Sequence, residues 1–326
     1  MGNSYPDRTN ASGVWKINDI YKDRVKGPEN SKYPDAGTRG ITGGGSAPGT
    51  DTVIDFIQIM STGNATDFGD LSVEGKMSGT ASSHTRGVFG SRDANNVMDY
   101  ITISSTGNAT DFGNSTVANY GGSGLSNKIR GVFGGGYTPS DTDVMDFISI
   151  ASTGNAADFG NLTAEKFYLG GMQNKTRGLF GGGYNIPATG LNVIDVIEIA
   201  TTGNAIDFGN LTSAKLAGAT MSGERKCIFA GGFIAALTKD IDVINPNSLG
   251  NASDFGELTV ARKYAAGCST YKRGVAMGGL LQPGNSNVID FITFESAGTA
   301  VDFGDLTVAR GHLGSNGISS GHGGLD

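Results

Sequence analysis

Gly203-Asn204-Ala205-Ile206-Asp207-Phe208-Gly209-Asn210-Leu211 decides the fold, because close relatives of this stretch occur six times in the 326 residues. The copies centre on Phe68, Phe112, Phe159, Phe208, Phe255 and Phe303, each between Asp and Gly, at spacings of 44, 47, 49, 47 and 48 residues. A fixed period in that range marks a repeat architecture. Two further signatures recur in phase. One is Arg-Gly followed by an aliphatic residue, as in Arg130-Gly131-Val132 and Arg177-Gly178-Leu179, with Lys226-Cys227-Ile228 as its degenerate copy. The other is an apolar run around Asp, such as Val53-Ile54-Asp55-Phe56-Ile57, whose acid returns as Asp99, Asp146, Asp195, Asp242 and Asp290.

Each cycle from Arg39 onward offers four strand-like runs. In the one beginning at Arg130 they are Arg130 to Phe133, Val144 to Ile150, Ala156 to Leu162, and Phe167 to Met172. Four short antiparallel strands in a repeat of about 47 residues make a propeller blade. The last run is made of small residues, as in Ala265-Ala266-Gly267-Cys268 and Gly314-Ser315-Asn316-Gly317. Six strands crowding one axis require small side chains, so this run is placed innermost. The chain enters at an Arg-Gly strand and leaves after an innermost one. Gly311 to Ile318 is therefore expected to complete the first blade, closing a six-bladed ring and removing its free edge.

The expected organisation is all-β: an N-terminal docking segment at 1-38, a six-bladed propeller at 39-318 and a short tail at 319-326. In the first segment Ile17, Ile20, Tyr21 and Val25 fall at helical spacing, with Trp15 just ahead. A helix this short is marginal alone. It either plugs one end of its own domain or anchors the protein to a partner or to sister copies.

Composition narrows the function. Fifty-four glycines against 8 prolines, without a triplet period, belong to turns and packed strands. A net charge of −7 gives no reason to expect nucleic acid. Cys227 and Cys268 are too few for a disulfide framework and are expected to be buried thiols. No signal-peptide core opens the chain and no 18 apolar residues run together, so neither insertion in a membrane nor secretion by a signal is expected. The three histidines are scattered, no Ser-His-Asp or Cys-His set has a supporting context, and the glycine runs carry no phosphate-loop Lys-Ser/Thr pair. No catalytic residue, metal or cofactor is assigned, and the protein is expected not to be an enzyme.

Paired glycines ending a strand, as at Gly135-Gly136, Gly182-Gly183, Gly231-Gly232 and Gly278-Gly279, together with an apolar strand around an acid and an aromatic outer strand, resemble the kelch-type propeller repeat over residues 39 to 318. Ser91-Arg92 departs from that pattern, and Phe stands where a kelch blade usually has Trp. The wordings Thr-Gly-Asn-Ala-Thr-Asp-Phe-Gly-Asp-Leu and Arg-Gly-Val-Phe-Gly-Gly-Gly, and the leader Gly13-Val14-Trp15, are similar to segments of virion proteins of tailed phages of marine and cyanobacterial hosts. The resemblance implies a virion structural or adhesion protein made in a host cytoplasm. Its expected partners are other virion proteins on the leader side and a host-surface glycan or receptor on the other, with a homo-oligomer in the particle open. A tail-associated fibre or receptor-binding component comes first, then a capsid or tail decoration protein, then a glycan-binding or glycan-cleaving propeller.

Two sets of side chains carry specific expectations. A carboxylate inside an apolar strand needs a cation, and the Arg of the neighbouring strand is the nearest candidate, pairing Arg130 with Asp146 and Arg177 with Asp195. The loops after the glycine pairs vary in length, whereas the Thr-Gly-Asn turns do not, so recognition is expected on the variable face. Tyr137, Tyr184, Phe233 and Leu280 would be its contact points, with Lys166, Lys215, Arg262 and Arg310 approaching the same end. The bland alternative is that these aromatics tuck over the blade tops.

Overall fold

The computed structural model describes residues 38–325 apart from 48, 94 and 188. The expected N-terminal helix, with Trp15, Ile17, Ile20 and Tyr21, lies outside the described residues. From Arg39 the chain builds six four-stranded antiparallel sheets, each following the same course from axis to rim. In the fourth blade the strands are Gly170–Gln173, Arg177–Gly181, Val193–Glu198 and Ile206–Asn210. The innermost strand descends, so the loops after the paired glycines all emerge at one end of the ring, called here the upper end. The Thr-Gly-Asn loops emerge at the lower end.

The repeated nonapeptide holds one blade to the next. Its Phe is buried as a wedge: Phe68 and Leu71 of the first blade pack on Ile101 and Ile103 of the second, and Phe159 and Leu162 of the third on Ile197 and Ile199 of the fourth. Burying one such ring contributes about 1.5–3 kcal/mol. The Gly-Asn-Ala ahead of it is more than a hairpin turn. Gly203 N–H donates to Phe159 O and Ala205 N–H to Asn161 O, both on the outer strand of the preceding blade, and Asn204 Oδ1 accepts the Asn161 N–H. The Gly of Asp-Phe-Gly makes room for this crossing. At Gly160, φ is 139° and a Cβ would stand 2.5 Å from the Gly203 carbonyl oxygen.

The sixth blade joins the first through the same contacts. Gly63 N–H donates to Phe303 O, and Thr307 donates through its N–H and Oγ1 to Asp55. Ring closure by the C-terminus is therefore observed, with a changed extent. The closing strand is Ile318–Ser319, Ile318 opposite Ile41 and Ser319 opposite Gly40, while Gly311 makes a single bridge to Ser46 beyond the first blade's paired glycines. The expected strand from Gly311 does not form, because residues 314–317 cross the axis. Asn316 Nδ2 donates to the carbonyls of Thr80 and Gly124, each at 2.8 Å, while Ser315 O accepts from Thr220 N and Gly267 N.

The axis is consequently filled. Below the crossing, serines at equivalent positions of five blades form a hydrogen-bonded hoop. The hydroxyls of Ser126, Ser82, Ser319 and Ser269 donate to the carbonyls of Ser82, Ser319, Ser269 and Ser222 respectively. Gln173 takes the serine position in the fourth blade, and there His322 enters. Its Nδ1 accepts from Gln173 Nε2 and from Gly324 N–H, so Nε2 carries the proton that points at Ser82 O, 3.2 Å away. Leu325 is buried beside it. The residues expected to form a tail instead stop the lower end of the channel.

Candidate functional site

The buried acids are held differently from the sequence expectation. Asp195 pairs with Lys166 at 2.8 Å, Asp242 with Lys215 at 2.9 Å, Asp290 with Arg262 at 3.0 Å and Asp55 with Arg310 at 2.7 Å, all essentially inaccessible. Each acid also accepts from a Ser or Thr of the preceding blade; Thr163, for example, donates its Oγ1 to Asp195 at 2.6 Å. Lys166, Lys215, Arg262 and Arg310 are thus inter-blade ties, unavailable to a ligand, and that expectation is corrected. The loop just before each innermost strand aims its long cation at the next blade's carboxylate.

The Arg-Gly arginines have another task, which corrects the Arg130–Asp146 and Arg177–Asp195 pairs. Arg130 stacks its guanidinium 4.5 Å from the centroid of Phe147 and donates to Ile199 O of the following blade. Arg39, Arg86 and Arg273 do the same over Phe56, Tyr100 and Phe291. Val196 replaces the aromatic in the fourth blade, so Arg177 turns to Glu198 at 3.2 Å. A groove of about 300 Å³ opens there between Arg177, Val196, Ile206 and Leu249.

The upper end is where the expected contact residues converge. Tyr137, Tyr184, Phe233 and Leu280 bridge to Tyr120, Phe167, Leu216 and Lys263 respectively, so each sits over the start of an inner strand. All four are half-buried. The rings of Tyr137 and Tyr184 join an aromatic series, or collar, around the upper end, and Phe233 and Leu280 extend it by packing on the cluster of Met77, Leu216, Ala217 and Tyr264. Tyr137 lies 5.5 Å from Tyr120 and 5.3 Å from Phe167, Phe167 lies 5.5 Å from Tyr184, and Tyr168 lies 5.2 Å edge-on to Tyr264. The rings partly support one another and partly face outward.

Sequence reasoning missed the inner rim of this collar. Met77, Tyr168, Ala217, Tyr264 and His312 occupy equivalent positions with φ between 52° and 58°, and Gly121 completes the set at 72°. Left-handed backbone at a side-chain-bearing residue costs roughly 1–2 kcal/mol. The rim is held there by hydrogen bonds between blades: Ala217 N–H to Tyr168 O, Tyr264 N–H to Ala217 O, and Met77 N–H to His312 O. The available signal was positional, since Tyr168, Ala217, Tyr264 and His312 stand two places after Lys166, Lys215, Arg262 and Arg310, and Met77 and Gly121 hold the same place in the repeat.

Charge at the rim is sparse and specific. Lys263 Nζ sits 4.2 Å from the centroid of Phe233 and 5.1 Å from that of Tyr264, and partial burial lowers its pKa. His312 stacks on Tyr264 with centroids 4.7 Å apart, and its Nδ1 is 2.8 Å from Ser46 Oγ. Burial, reinforced by Lys76 and Lys263, keeps its imidazole below the usual pKa and hence neutral at pH 7. Burial, with Tyr264 and Tyr120 alongside, raises the Tyr168 phenol, which stays a donor. Tyrosine rings, one ammonium and a neutral imidazole can stack on and hydrogen-bond to a flat, hydroxylated or ring-shaped ligand. Among the described residues no group of three His, Cys, Asp or Glu converges as a metal site. Cys227 and Cys268 are free thiols, fully buried, with burial raising both.

No protein-family model matches the chain, and no curated protein matches it significantly.

Proposed function

We propose that this protein is a non-enzymatic virion component of a tailed phage, a kelch-like propeller serving as a tail-associated fibre or receptor-binding module. In this reading residues 1-38 attach it to other virion proteins, and the upper end meets a host-surface glycan or receptor. The observation that carries the recognition half is the aromatic collar around a filled axis. It lies at the end whose loops differ most among blades, while the lower end repeats one clamp. A stopped channel conducts nothing, so contact falls to the rim. Rigid tyrosines with few rotatable bonds give contact area at low entropic cost.

Binding of the labelled full chain to a panel of marine and cyanobacterial cells, alongside a glycan array, tests the reading. Tyr137→Ala/Tyr184→Ala and Lys263→Ala should each lower retention at least tenfold, with thermal stability checked separately. A chain lacking residues 1-38 should still bind cells yet fail to join particles. Cell retention unchanged in both collar variants would overturn the receptor-binding role. Loss of particle assembly caused by the collar variants would favour a capsid or tail decoration protein.

A further inference from the structure

The third blade lacks a charge that the other five have. The inter-blade cation stands seven residues after the wedge Phe at Lys166, Lys215, Arg262 and Arg310. The same count reaches Gly75 for the second blade and Asn119 for the third. The second blade is repaired from elsewhere. Arg92 replaces a glycine of the usual pair and fills the space over Gly75, where a Cβ would lie 2.6 Å from its Cγ; its Nη2 meets Asp99 Oδ2 at 2.5 Å. The third blade has no such repair among the described residues. Asn119 is in the right place, donating to Gly135 O at 3.1 Å just as Arg310 donates to the equivalent Gly44 O, but its side chain is too short to reach Asp146.

Asp146 therefore stands inside the sheet with neutral donors only, Thr116 N–H at 2.9 Å and Thr116 Oγ1 at 2.6 Å, and is 6% exposed. A cavity of about 20 Å³ adjoins it, bounded by Asp146, Asn119, Ser91, Ser115, Val144 and Gly135. That is room for a single water-sized particle. The groups around it are hard oxygen donors: a carboxylate, an amide, two hydroxyls and backbone carbonyls. Val144 O is the counterpart of Val53 O, which accepts from Arg310 in the first blade. Burial also raises the Asp146 carboxyl, as expected where no positive charge faces it.

We propose that this cavity is a binding site for a monovalent alkali cation, potassium or sodium, which replaces the ammonium or guanidinium of the other five blades and ties the second blade to the third. One positive charge balances one carboxylate, and oxygen donors suit a hard cation. The same cavity could not admit tetramethylammonium.

Thermal unfolding of the full chain in potassium, sodium and tetramethylammonium chloride at equal ionic strength tests this. The midpoint should be several degrees higher in the alkali salts and should rise with the logarithm of their concentration. Asp146→Asn should erase the difference between salts. Asn119→Lys, which restores the side chain of the fourth and fifth blades, should give a high midpoint in every salt. Sodium-23 line broadening on the unmodified chain, reversed by potassium, reads the site without a variant. Equal midpoints in all three salts, or a salt difference that survives Asp146→Asn, would overturn the proposal. A cavity holding water beside a protonated carboxyl gives the first of those results.

Discussion

Lys215 shows how single residues hold this ring, since its ammonium and the Asp242 carboxylate are taken out of water together. Lys215→Met would leave Asp242 with Thr212 alone, and an uncompensated buried charge of this kind costs about 3–5 kcal/mol. Denaturant titration should show that loss, whereas truncating the exposed Lys239 of the Lys239–Glu257 pair should cost under about 1 kcal/mol. The sequence announced the need for these cations, because an Asp recurs inside apolar strands, but not their source. For four of the six acids the nearest basic residue in the chain is the Arg one strand away, yet the side chains of Arg39, Arg86, Arg130 and Arg273 are spent on an aromatic face at the lower end. His322 offers a second measurement. Its folded pKa is lowered by burial to about 4 against a usual value of 6.5, so the unfolded chain takes up a proton between those values that the folded chain refuses. Its stabilising contribution is complete above pH 6.5 and falls away as the pH drops to about 4, by an amount on the order of 3 kcal/mol. The difference in stability between the natural chain and His322→Gln, followed from pH 8 to pH 4, should show that slope; parallel curves would remove the buried neutral imidazole from the account.

At the scale of the element, the outer strand and the turn before it were legible as a repeat, and the turn does join two antiparallel strands of one blade, but its bonds to the preceding blade were not legible. Periodicity marks which residues are alike and is silent on whether they bond within one blade or across two. The structure shows both: the flanking strands pair within one blade, and five of the six turns carry an Asn whose Oδ1 accepts an outer-strand N–H of the preceding blade, at 3.0–3.1 Å. The sixth turn reads Ala297-Gly298-Thr299-Ala300, and Thr299 has no amide oxygen to offer Glu257 N–H. Thr299→Asn should therefore stabilise the protein by about 0.5–1.5 kcal/mol, the net contribution of one hydrogen bond. The converse change Asn204→Ala should cost a similar amount, and the two together should roughly cancel, because the sites lie in different blades. A destabilised Thr299→Asn would mean that the turn's backbone, not its side chain, does the tying. The collar belongs to this scale as well. Its variable-loop aromatics could be found from loop length, whereas Tyr168, Tyr264 and His312 sit at a left-handed position that nothing in their residue type announces.

For the whole molecule, what matters is that one short C-terminal segment does three things in succession: it ties the sixth blade to the first, crosses the axis, and stops the channel. Arg310 and Thr307 belong to the first task, Ser315 and Asn316 to the second, and Ile318 to Leu325 to closing the first sheet and the lower opening. The number of blades and the closure were readable from the phase of the termini. The plug was not, since His322-Gly323-Gly324-Leu325 reads like an aborted further Arg-Gly strand at the end of a tail, and only the hoop's single departure, Gln173, makes a place for it. These tasks can be separated by truncation. Ending the chain after Ser320 removes the plug but keeps the pairing of Ile318–Ser319 with Arg39–Gly43, and should give a folded monomer with a lower melting midpoint and no His322-dependent pH slope. Ending it after Thr307 also removes Arg310, leaving Asp55 without its cation and the inner edge of Arg39–Gly43 unpaired. That chain should lose cooperative unfolding or associate through the open edge, visible as larger species in size-exclusion chromatography. A ring that melted equally well with and without residues 308–326 would be held by its blade-to-blade clamps alone, and the closing strand would then be a consequence of the circle and not its cause.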